Sequence, residues 1–158
     1  MSWHRFEAGA PELAGIARER LEGAGVALLG TVRRDGSPRI SPIGPFFVEH
    51  ELVLGVMSRS GKARDLRRDP RCVLHSTLSG PDAGEPDVKL YGRVEPSGAG
   101  GGWWEGRAPD AADVYRLLVD EAVVVEWDVA AERMRLRRWT ASGGEGAGGE
   151  GVAERAYP

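Results

Sequence analysis

Residues 26–57, "VALLGTVRRDGSPRISPIGPFFVEHELVLGVM", decide the fold class of this chain. Apolar stretches at 26–33, 39–48 and 52–57 are separated by two short polar segments. The Asp35-Gly36 pair in the first segment is a strong hairpin signal, because glycine adopts the positive φ that a tight turn requires. The stretch therefore predicts three consecutive antiparallel strands.

More strands and three short helices are predicted around this meander. Helical periodicity and end signals predict helices at 11–23, 61–69 and 110–120, and apolar alternation predicts strands at 71–78, 87–96, 121–129 and 133–141. About seven strands, mostly joined by hairpins, favour a mainly β (α+β) fold, built as a closed or partly closed antiparallel barrel with short flanking helices. Residues 1–140 would form this domain, and the glycine-rich residues 141–158 are expected to be a disordered tail.

The bulk composition argues against several classes of function. The 158 residues include 21 Lys and Arg against 24 Asp and Glu, and the formal net charge of −3 argues against general nucleic-acid binding. The single cysteine, Cys72, can form no internal disulfide, and no apolar run approaches the roughly 18 residues of a membrane span. We therefore expect a cytoplasmic protein with no nucleic-acid or membrane partner.

A basic turn follows the third strand, in "SRSGKARDLRRDP" at 58–70. Ser60 can cap a short helix, Gly61 lets a ligand approach the backbone, and Lys62 adds a full positive charge near the free N–H groups of the first turn. We term Ser60–Lys62 the candidate phosphate site. The alternative is that Ser60 only caps a helix whose arginines are solvated.

A second candidate segment is "SPRISPIGP" at 37–45, whose three prolines exclude a regular central strand. On a bulged or edge strand, Arg39 and Ser41 would project from one face, with Ile40 and Pro42 on the other. Arg39 and Ser41 could bind a second part of an anionic ligand. The alternative is an ordinary solvent-facing arginine.

The order and spacing of these segments resemble the pyridoxamine 5′-phosphate oxidase-like family of flavin-binding split barrels. The resemblance runs from "LLGTVRRDGSPRISPI" through "LVLGVMSRSGKARDLRRDPRCVL" to "VKLYGRVE". It is close over residues 26–95 and looser over the following segments. It implies a six- to seven-stranded split β-barrel that works as a homodimer, with a flavin in a groove at the subunit interface.

The resemblance also implies which positions contact the cofactor. Segment 39–43 would line the flavin ring and phosphate, segment 55–57 would offer further contacts, and the candidate phosphate site would bind the phosphate. The implied cofactor-binding residues are Arg39, Ile40, Ser41, Pro42, Ile43, Gly55, Val56, Met57, Ser58, Ser60, Gly61, Lys62 and Asp87.

Three features depart from the family pattern. Val56 replaces a hydroxyl residue, so that a hydrogen bond is lost or comes from Ser58. Gly61 replaces a frequent arginine, which leaves more of the charge to Lys62. The chain also ends without the C-terminal segment with which true pyridoxamine phosphate oxidases bind their substrate, so we do not expect that activity.

The resemblance leads to an oxidoreductase that passes hydride between a flavin-type cofactor and a small organic substrate. We prefer FMN because the sequence contains a recognisable candidate site for its phosphate. The long anionic tail of F420 would need a basic groove in addition. Arg59, Arg64, Arg67 and Arg68 could supply such a groove or could be solvated. No catalytic acid or base stands out.

Other side chains leave two alternatives of a different class open. The chain could be a non-catalytic flavin or haem carrier, with His75 as the axial ligand, or an interaction protein with an empty groove. His4, His50 and His75 have no metal-ligand spacing, so no metal site is expected. Trp103 and Trp104 could cover a cofactor edge or form a hydrophobic lid.

Overall fold

A computed structural model describes residues 1–80, 83–98, 112–128, 130–131 and 133–141, together with the backbone of 150–156. The helices in these ranges are α1 (Trp3–Gly9), α2 (Pro11–Ala24) and α3 (Gly61–Arg68). The strands are β1 (Ala27–Val32), β2 (Pro38–Ile43), β3 (Pro45–Val48), β4 (Glu51–Met57), β5 (Arg71–Ser76), β6 (Asp87–Pro96), β7 (Ala112–Asp128), β8 (Arg133–Thr140) and β9 (Glu150–Ala156).

The described strands form one antiparallel sheet in the order β2-β1-β5-β6-β7-β4-β3, and β8 and β9 extend it beside β7. The long strand β7 has partners on both sides. Its first residues pair with β4, its last residues pair with β8, and β6 runs along its other edge. This strand therefore joins the two parts of the sheet.

A single residue, Gly44, separates β2 from β3, although these strands stand at opposite ends of the hydrogen-bonded order. The sheet must curl to bring its two ends within one residue of each other. Because no ladder joins β2 to β3 in the described residues, the barrel is not closed by hydrogen bonds there. The predicted mainly β fold, an antiparallel split barrel with short flanking helices, is confirmed.

The core lies inside this curl and is covered by the first two helices. Helix α2 begins at Pro11 and ends before Gly25, which has a φ of 62°. Its buried residues belong to the core. Trp3 and Phe6 of α1 contact each other edge to face and belong to the same core. Trp139 of β8 is 1% exposed and packs against Phe6, so it belongs to this core.

The first hairpin forms as predicted. Gly36 has a φ of 83°, and the Arg33 N–H donates to the Ser37 carbonyl across the turn. Strands β4, β5 and β6 and helix α3 also occupy the predicted segments, to within two residues at each end. Buried and more exposed residues alternate in β5 and along most of β6, whereas residues 52–54 of β4 are all buried, so β4 is covered on both faces.

The structure differs from the sequence-based expectations in four places. The predicted helix at 110–120 is wrong, because residues 112–120 belong to β7, where backbone pairing on both edges outweighs local helical periodicity. The single strand expected at 39–48 is broken at Gly44. Helix α1 was not predicted, and the tail expected to be disordered contains β9, which pairs with the free edge of β8.

Some predictions fall outside the described residues. These include the suggested role of Trp103 and Trp104 and the part of the tail at 142–149. Within the described ranges, no helix combines the length and apolar character needed to cross a membrane.

Candidate functional site

The N-terminus of α3 is built as the sequence predicts. The Ser60 Oγ accepts a hydrogen bond from the Ala63 N–H at 3.2 Å, which confirms the cap. The N–H groups of Gly61 and Lys62 have no acceptor among the described residues. Two backbone donors at the positive end of the helix are therefore available to an anion.

Lys62 links this helix end to β2. Its Nζ donates to the Pro42 carbonyl oxygen at 2.5 Å, across 20 positions of the chain. Burial lowers the pKa of the Lys62 ammonium from its ordinary value of 10.5. Because an ammonium has three N–H groups, the bond to Pro42 leaves two for another acceptor.

Arg39 approaches the same helix end from β2. Arg39 and Ser41 share one face of β2, as predicted. They stand opposite Thr31 and Leu29 of β1, which are 3% and 0% exposed, so this is the inner face. The Arg39 Nε donates to the Asp65 carboxylate at 2.6 Å. Its two Nη groups have no acceptor among the described residues. Arg39 of β2 therefore lies beside the N-terminus of α3.

The position of the Arg39 guanidinium explains the glycine at position 61. A Cβ added to Gly61 would lie 2.9 Å from both Cζ and Nη1 of Arg39. Arg39 therefore fills the space into which a side chain at position 61 would project. Arg39 of β2 thus adds a second cation to the site beside Lys62 of α3.

The other β2 residues divide between the two faces. Ile43 is 4% exposed and belongs to the core, whereas Ile40 is 71% exposed and Pro42 also faces outward. Within the described residues β2 pairs only with β1, so its second edge is open. A ligand along this edge could contact Ser41 from one face and Pro42 from the other.

The four predicted residues at the end of β4 have different environments. Val56 is 0% exposed, so only its backbone could contact a ligand, and Gly55 is half-buried. Met57 is 62% exposed. The Ser58 Oγ donates to Asp113 Oδ1 at 2.9 Å, so this hydroxyl is already used within the protein. Ser58 therefore does not directly replace the hydroxyl that is missing at Val56, because its own hydroxyl is bonded to Asp113.

Asp113 organises a cluster that the sequence reasoning missed. Besides Ser58, its carboxylate contacts Arg67 at 2.6 Å and the Tyr115 hydroxyl at 3.3 Å. Asp113 lies in the segment that was expected to be helical, which hid its position opposite Val56. The cluster connects α3 to β7 beside the end of β4.

The four arginines considered for a basic groove are not equivalent. Arg67 pairs with Asp113, and Arg68 donates to the Val32 carbonyl and faces Asp65 at 3.8 Å. Arg59 and Arg64 are exposed and have no ion-pair partner among the described residues. Only these two remain available for an anionic tail.

Asp87 lies away from the helix N-terminus, on the outer face of β6. It contacts His75 Nε2 at 3.1 Å and also pairs with Lys89. Three strand spacings separate β6 from β2, or about 14 Å. Asp87 and the candidate phosphate site could touch one ligand only if that ligand extends across the outer face of β1 and β5.

Both ring nitrogens of His75 have partners. Its Nδ1 is 2.6 Å from the Ser76 carbonyl oxygen, and its Nε2 faces Asp87. A metal ion could bind either nitrogen only after one of these contacts is broken. His75 is therefore poorly placed as an axial ligand.

The remaining chemistry of the described residues is limited. Burial raises the pKa of the Cys72 thiol to about 12, so Cys72 is not a nucleophile near neutral pH. No three His, Cys, Asp or Glu side chains in the described ranges converge as metal ligands. The arrangement suits binding of an anionic group rather than nucleophilic or metal-dependent hydrolysis.

The fold and the helix end define a split-barrel protein with a cationic site beside an open strand edge. A family model described as pyridoxamine 5′-phosphate oxidase matches residues 15–125. The chain belongs to this family. No curated protein matches it by sequence.

Solved structures share the fold at low sequence identity. PhzG from Burkholderia lata, in complex with tetrahydrophenazine-1-carboxylic acid, is 14% identical with a TM-score of 0.70, over 92% of this chain and 89% of that one. A pyridoxamine 5′-phosphate oxidase-related, FMN-binding protein from Nostoc punctiforme is 13% identical with a TM-score of 0.66, over 91% and 95%. A haem-binding protein from Mycobacterium smegmatis is 20% identical with a TM-score of 0.59, over 89% of this chain and 57% of that one.

Proposed function

We propose that this protein binds FMN and uses it as an oxidoreductase for a small organic substrate. The flavin phosphate would be bound by the candidate phosphate site together with Arg39. The observation that supports this proposal is the convergence of two cations and two free N–H groups at one helix end. An anion there would receive charge-assisted hydrogen bonds from both β2 and α3.

The ring system of the flavin would extend away from the helix along the open edge of β2. Half-buried Ser41 could contact polar ring or ribityl groups from one face of β2, and exposed Ile40 offers an apolar surface on the other. The bound flavin supplies hydride transfer, and the protein binds and orients it. No described side chain near the site is placed as a dedicated acid or base, so a proton would come from solvent.

The substrate would be a small organic molecule that stacks on the exposed flavin. The neighbour from Burkholderia lata binds an organic carboxylic acid on the same fold, which supports this class of substrate. The F420 alternative receives less support, since Arg67 and Arg68 are already engaged within the protein. A non-catalytic carrier of flavin remains the competing proposal for the same site.

Haem binding is the second candidate, and the haem-binding neighbour from Mycobacterium smegmatis is the observation that favours it. His75 is the axial ligand that the sequence suggests, but both of its ring nitrogens are engaged. The chemistry of the helix end favours a phosphate group. We therefore prefer the flavin.

We further propose that the protein is a cytoplasmic homodimer and that the cofactor lies at the subunit interface. Ile40, Gly30, Val73 and Tyr91 form one continuous row across the outer face of β2, β1, β5 and β6. Ile40 is 71% and Tyr91 40% exposed. This exposed apolar row on the outer face of β2, the strand whose inner face carries Arg39, is a suitable surface for a second copy.

The first test of the proposed function is a visible titration of the purified protein with FMN, F420 and haem. We expect a flavin band that shifts on binding of FMN. Lys62→Ala should lower the affinity for FMN by about 10- to 150-fold, which corresponds to the loss of about 1.5–3 kcal/mol from a charge-assisted hydrogen bond. The fold should stay intact. Calorimetry would measure the affinity for FMN, and thermal unfolding would measure the stability of the fold.

Arg64→Ala is the matched control, because Arg64 is an exposed cation on the same helix without an ion-pair partner in the described ranges. Arg68 is less suitable, since it binds the Val32 carbonyl. Unchanged FMN affinity in Lys62→Ala would contradict the phosphate site. If only haem shifted the visible spectrum, and if His75→Ala abolished that shift, haem binding would be favoured over flavin binding.

A further inference from the structure

Asp65 is a buried carboxylate in the middle of α3 that the sequence analysis did not single out. It is 3% exposed, although the stretch "GKARDLRR" around it is strongly polar. A buried carboxylate is stable only where hydrogen bonds and opposite charges replace its hydration. Its partners therefore indicate what it does.

Two of these partners meet at one carboxylate oxygen. The Thr31 hydroxyl donates to Asp65 Oδ2 at 2.9 Å, and the Arg39 Nε donates to the same oxygen at 2.6 Å. The Arg68 guanidinium lies 3.8 Å from Oδ1. Burial alone would raise the pKa of Asp65, but the hydrogen bonds from Arg39 and Thr31 and the charges of Arg39 and Arg68 hold it below its ordinary value of 3.8. The carboxylate is thus ionised at neutral pH.

The choice of Nε as donor fixes the direction of the Arg39 guanidinium. Its Nη1 and Nη2 lie 2.9 and 3.3 Å from the position of a Cβ on Gly61, at the first turn of α3. An arginine side chain has several rotatable bonds and would otherwise sample many positions. The bond to Asp65 leaves the two Nη groups beside the free N–H groups of the helix.

We propose that Asp65 is a positioning residue that holds Arg39 at the helix N-terminus, so that its Nη groups bind the ligand's phosphate. The proposal rests on the proposed function of the site. Asp65 lies beneath the guanidinium and is too buried to touch the ligand itself. Its negative charge faces Arg39 and Arg68 rather than the open edge of β2.

A test compares the affinities of FMN and riboflavin, which differ by the phosphate. The variants are Asp65→Asn, Arg39→Ala and the double variant, with Asp69→Asn as matched control because that carboxylate binds Arg71 at the other end of α3. Asp65→Asn should lower the affinity for FMN by about 3- to 10-fold and leave the affinity for riboflavin unchanged. The double variant should bind FMN no more weakly than Arg39→Ala alone, since Asp65 acts through Arg39.

Arg39→Lys provides a second, independent variant if Asp65→Asn does not fold. Arg39 uses Nε for Asp65 and keeps its Nη groups for the phosphate, whereas the single Nζ of a lysine would have to lie within reach of both, so the affinity for FMN should again fall while that for riboflavin stays unchanged. Equal losses for both ligands, or additive losses in the double variant, would overturn the proposal in favour of a purely structural role. Tighter FMN binding by Asp65→Asn would also overturn it, because Asp65 would then compete with the phosphate.

The proposed function and the role of Asp65 can fail separately. If the parent protein binds FMN no better than riboflavin, both the proposed function and the role of Asp65 are wrong. If the parent strongly prefers FMN and Asp65→Asn keeps that preference unchanged, only the role of Asp65 is wrong.

Discussion

At the scale of single residues, Gly61 and Arg39 share one volume at the start of α3. A methyl group at position 61 would lie 2.9 Å from the guanidinium carbon of Arg39, and Arg39 is held there by Asp65. We expect Gly61→Ala to displace the guanidinium and weaken FMN binding by about 3- to 10-fold, while the unfolding temperature changes little. Titration and thermal unfolding of the same sample would measure both.

Gly15→Ala is the comparison for this variant. Gly15 lies within α2 and has nothing within 4 Å of an added Cβ, so alanine there should stabilise the helix by about 0.5–1 kcal/mol without changing FMN affinity. If Gly61→Ala bound FMN as tightly as the parent, Arg39 would not be part of the phosphate site.

Local sequence was sufficient to find Ser60, Lys62 and Arg39 as candidates, because caps, charges and strand alternation are short-range signals. It could not find Asp65, whose key partner Arg39 is 26 positions away and belongs to another element. In sequence, "KARDLRR" has the appearance of a solvated helix. Only the packing of α3 against β1 and β2 shows that its one acidic residue is buried.

At the scale of elements, hydrogen bonds to Asp69 join the C-terminal end of α3 to the first residue of β5. The Asp69 carboxylate accepts hydrogen bonds from the N–H and guanidinium groups of Arg71. The hydrogen bond from the Arg71 side chain is the main reason that the pKa of Asp69 falls to about 2 from its ordinary 3.8. Because the folded-state pKa is lower than that of the unfolded chain, the stabilisation is complete above 3.8 and is lost as the pH falls toward about 2.

The stability difference between the parent and Asp69→Asn should therefore shrink as the pH is lowered through this window. Urea unfolding at several pH values between about 5 and about 2 would measure it. A difference that stayed constant with pH would show that ionised Asp69 does not stabilise this junction.

The elements themselves were predictable where one face is buried and the turns are local. Strands β1, β5 and β6 fall into this group, and β4, which is buried on both faces, was predictable as a short apolar run that follows a local turn. Strand β7 was not predictable, because its residues 112–120 have helical spacing and become a strand only through β4 and β6. The register shift at Tyr91/Gly92 belongs to the same long-range pairing, since a Cβ on Gly92 would lie 1.9 Å from the Leu118 carbonyl oxygen.

At the scale of the whole molecule, the outer face of β2, β1, β5 and β6 is the surface that the proposed dimer would cover. Ile40 is its most exposed apolar residue, at 71%. Ile40→Glu should convert a dimer to a monomer, because a carboxylate is costly to bury in an apolar interface. Sedimentation velocity at several concentrations would show the change.

Leu78→Glu is the matched control, since Leu78 is 52% exposed but lies beyond the end of β5, outside that row. The control should sediment like the parent. A monomeric parent, or an Ile40→Glu variant that remains dimeric, would contradict the assignment of this face.

The one-residue junction at Gly44 has a consequence for the motions of the barrel. A movement that parts β2 from β3 breaks no ladder hydrogen bond between them, so its free-energy cost comes largely from side chains that reach across the gap. The side-chain bonds from Lys62 to Pro42 and from Arg39 to Asp65 oppose this movement indirectly, because they hold β2 to α3, which follows β4, the partner strand of β3. A bound phosphate would add another such link between β2 and α3, so ligand affinity and the resistance of the barrel to opening at this gap would rise together.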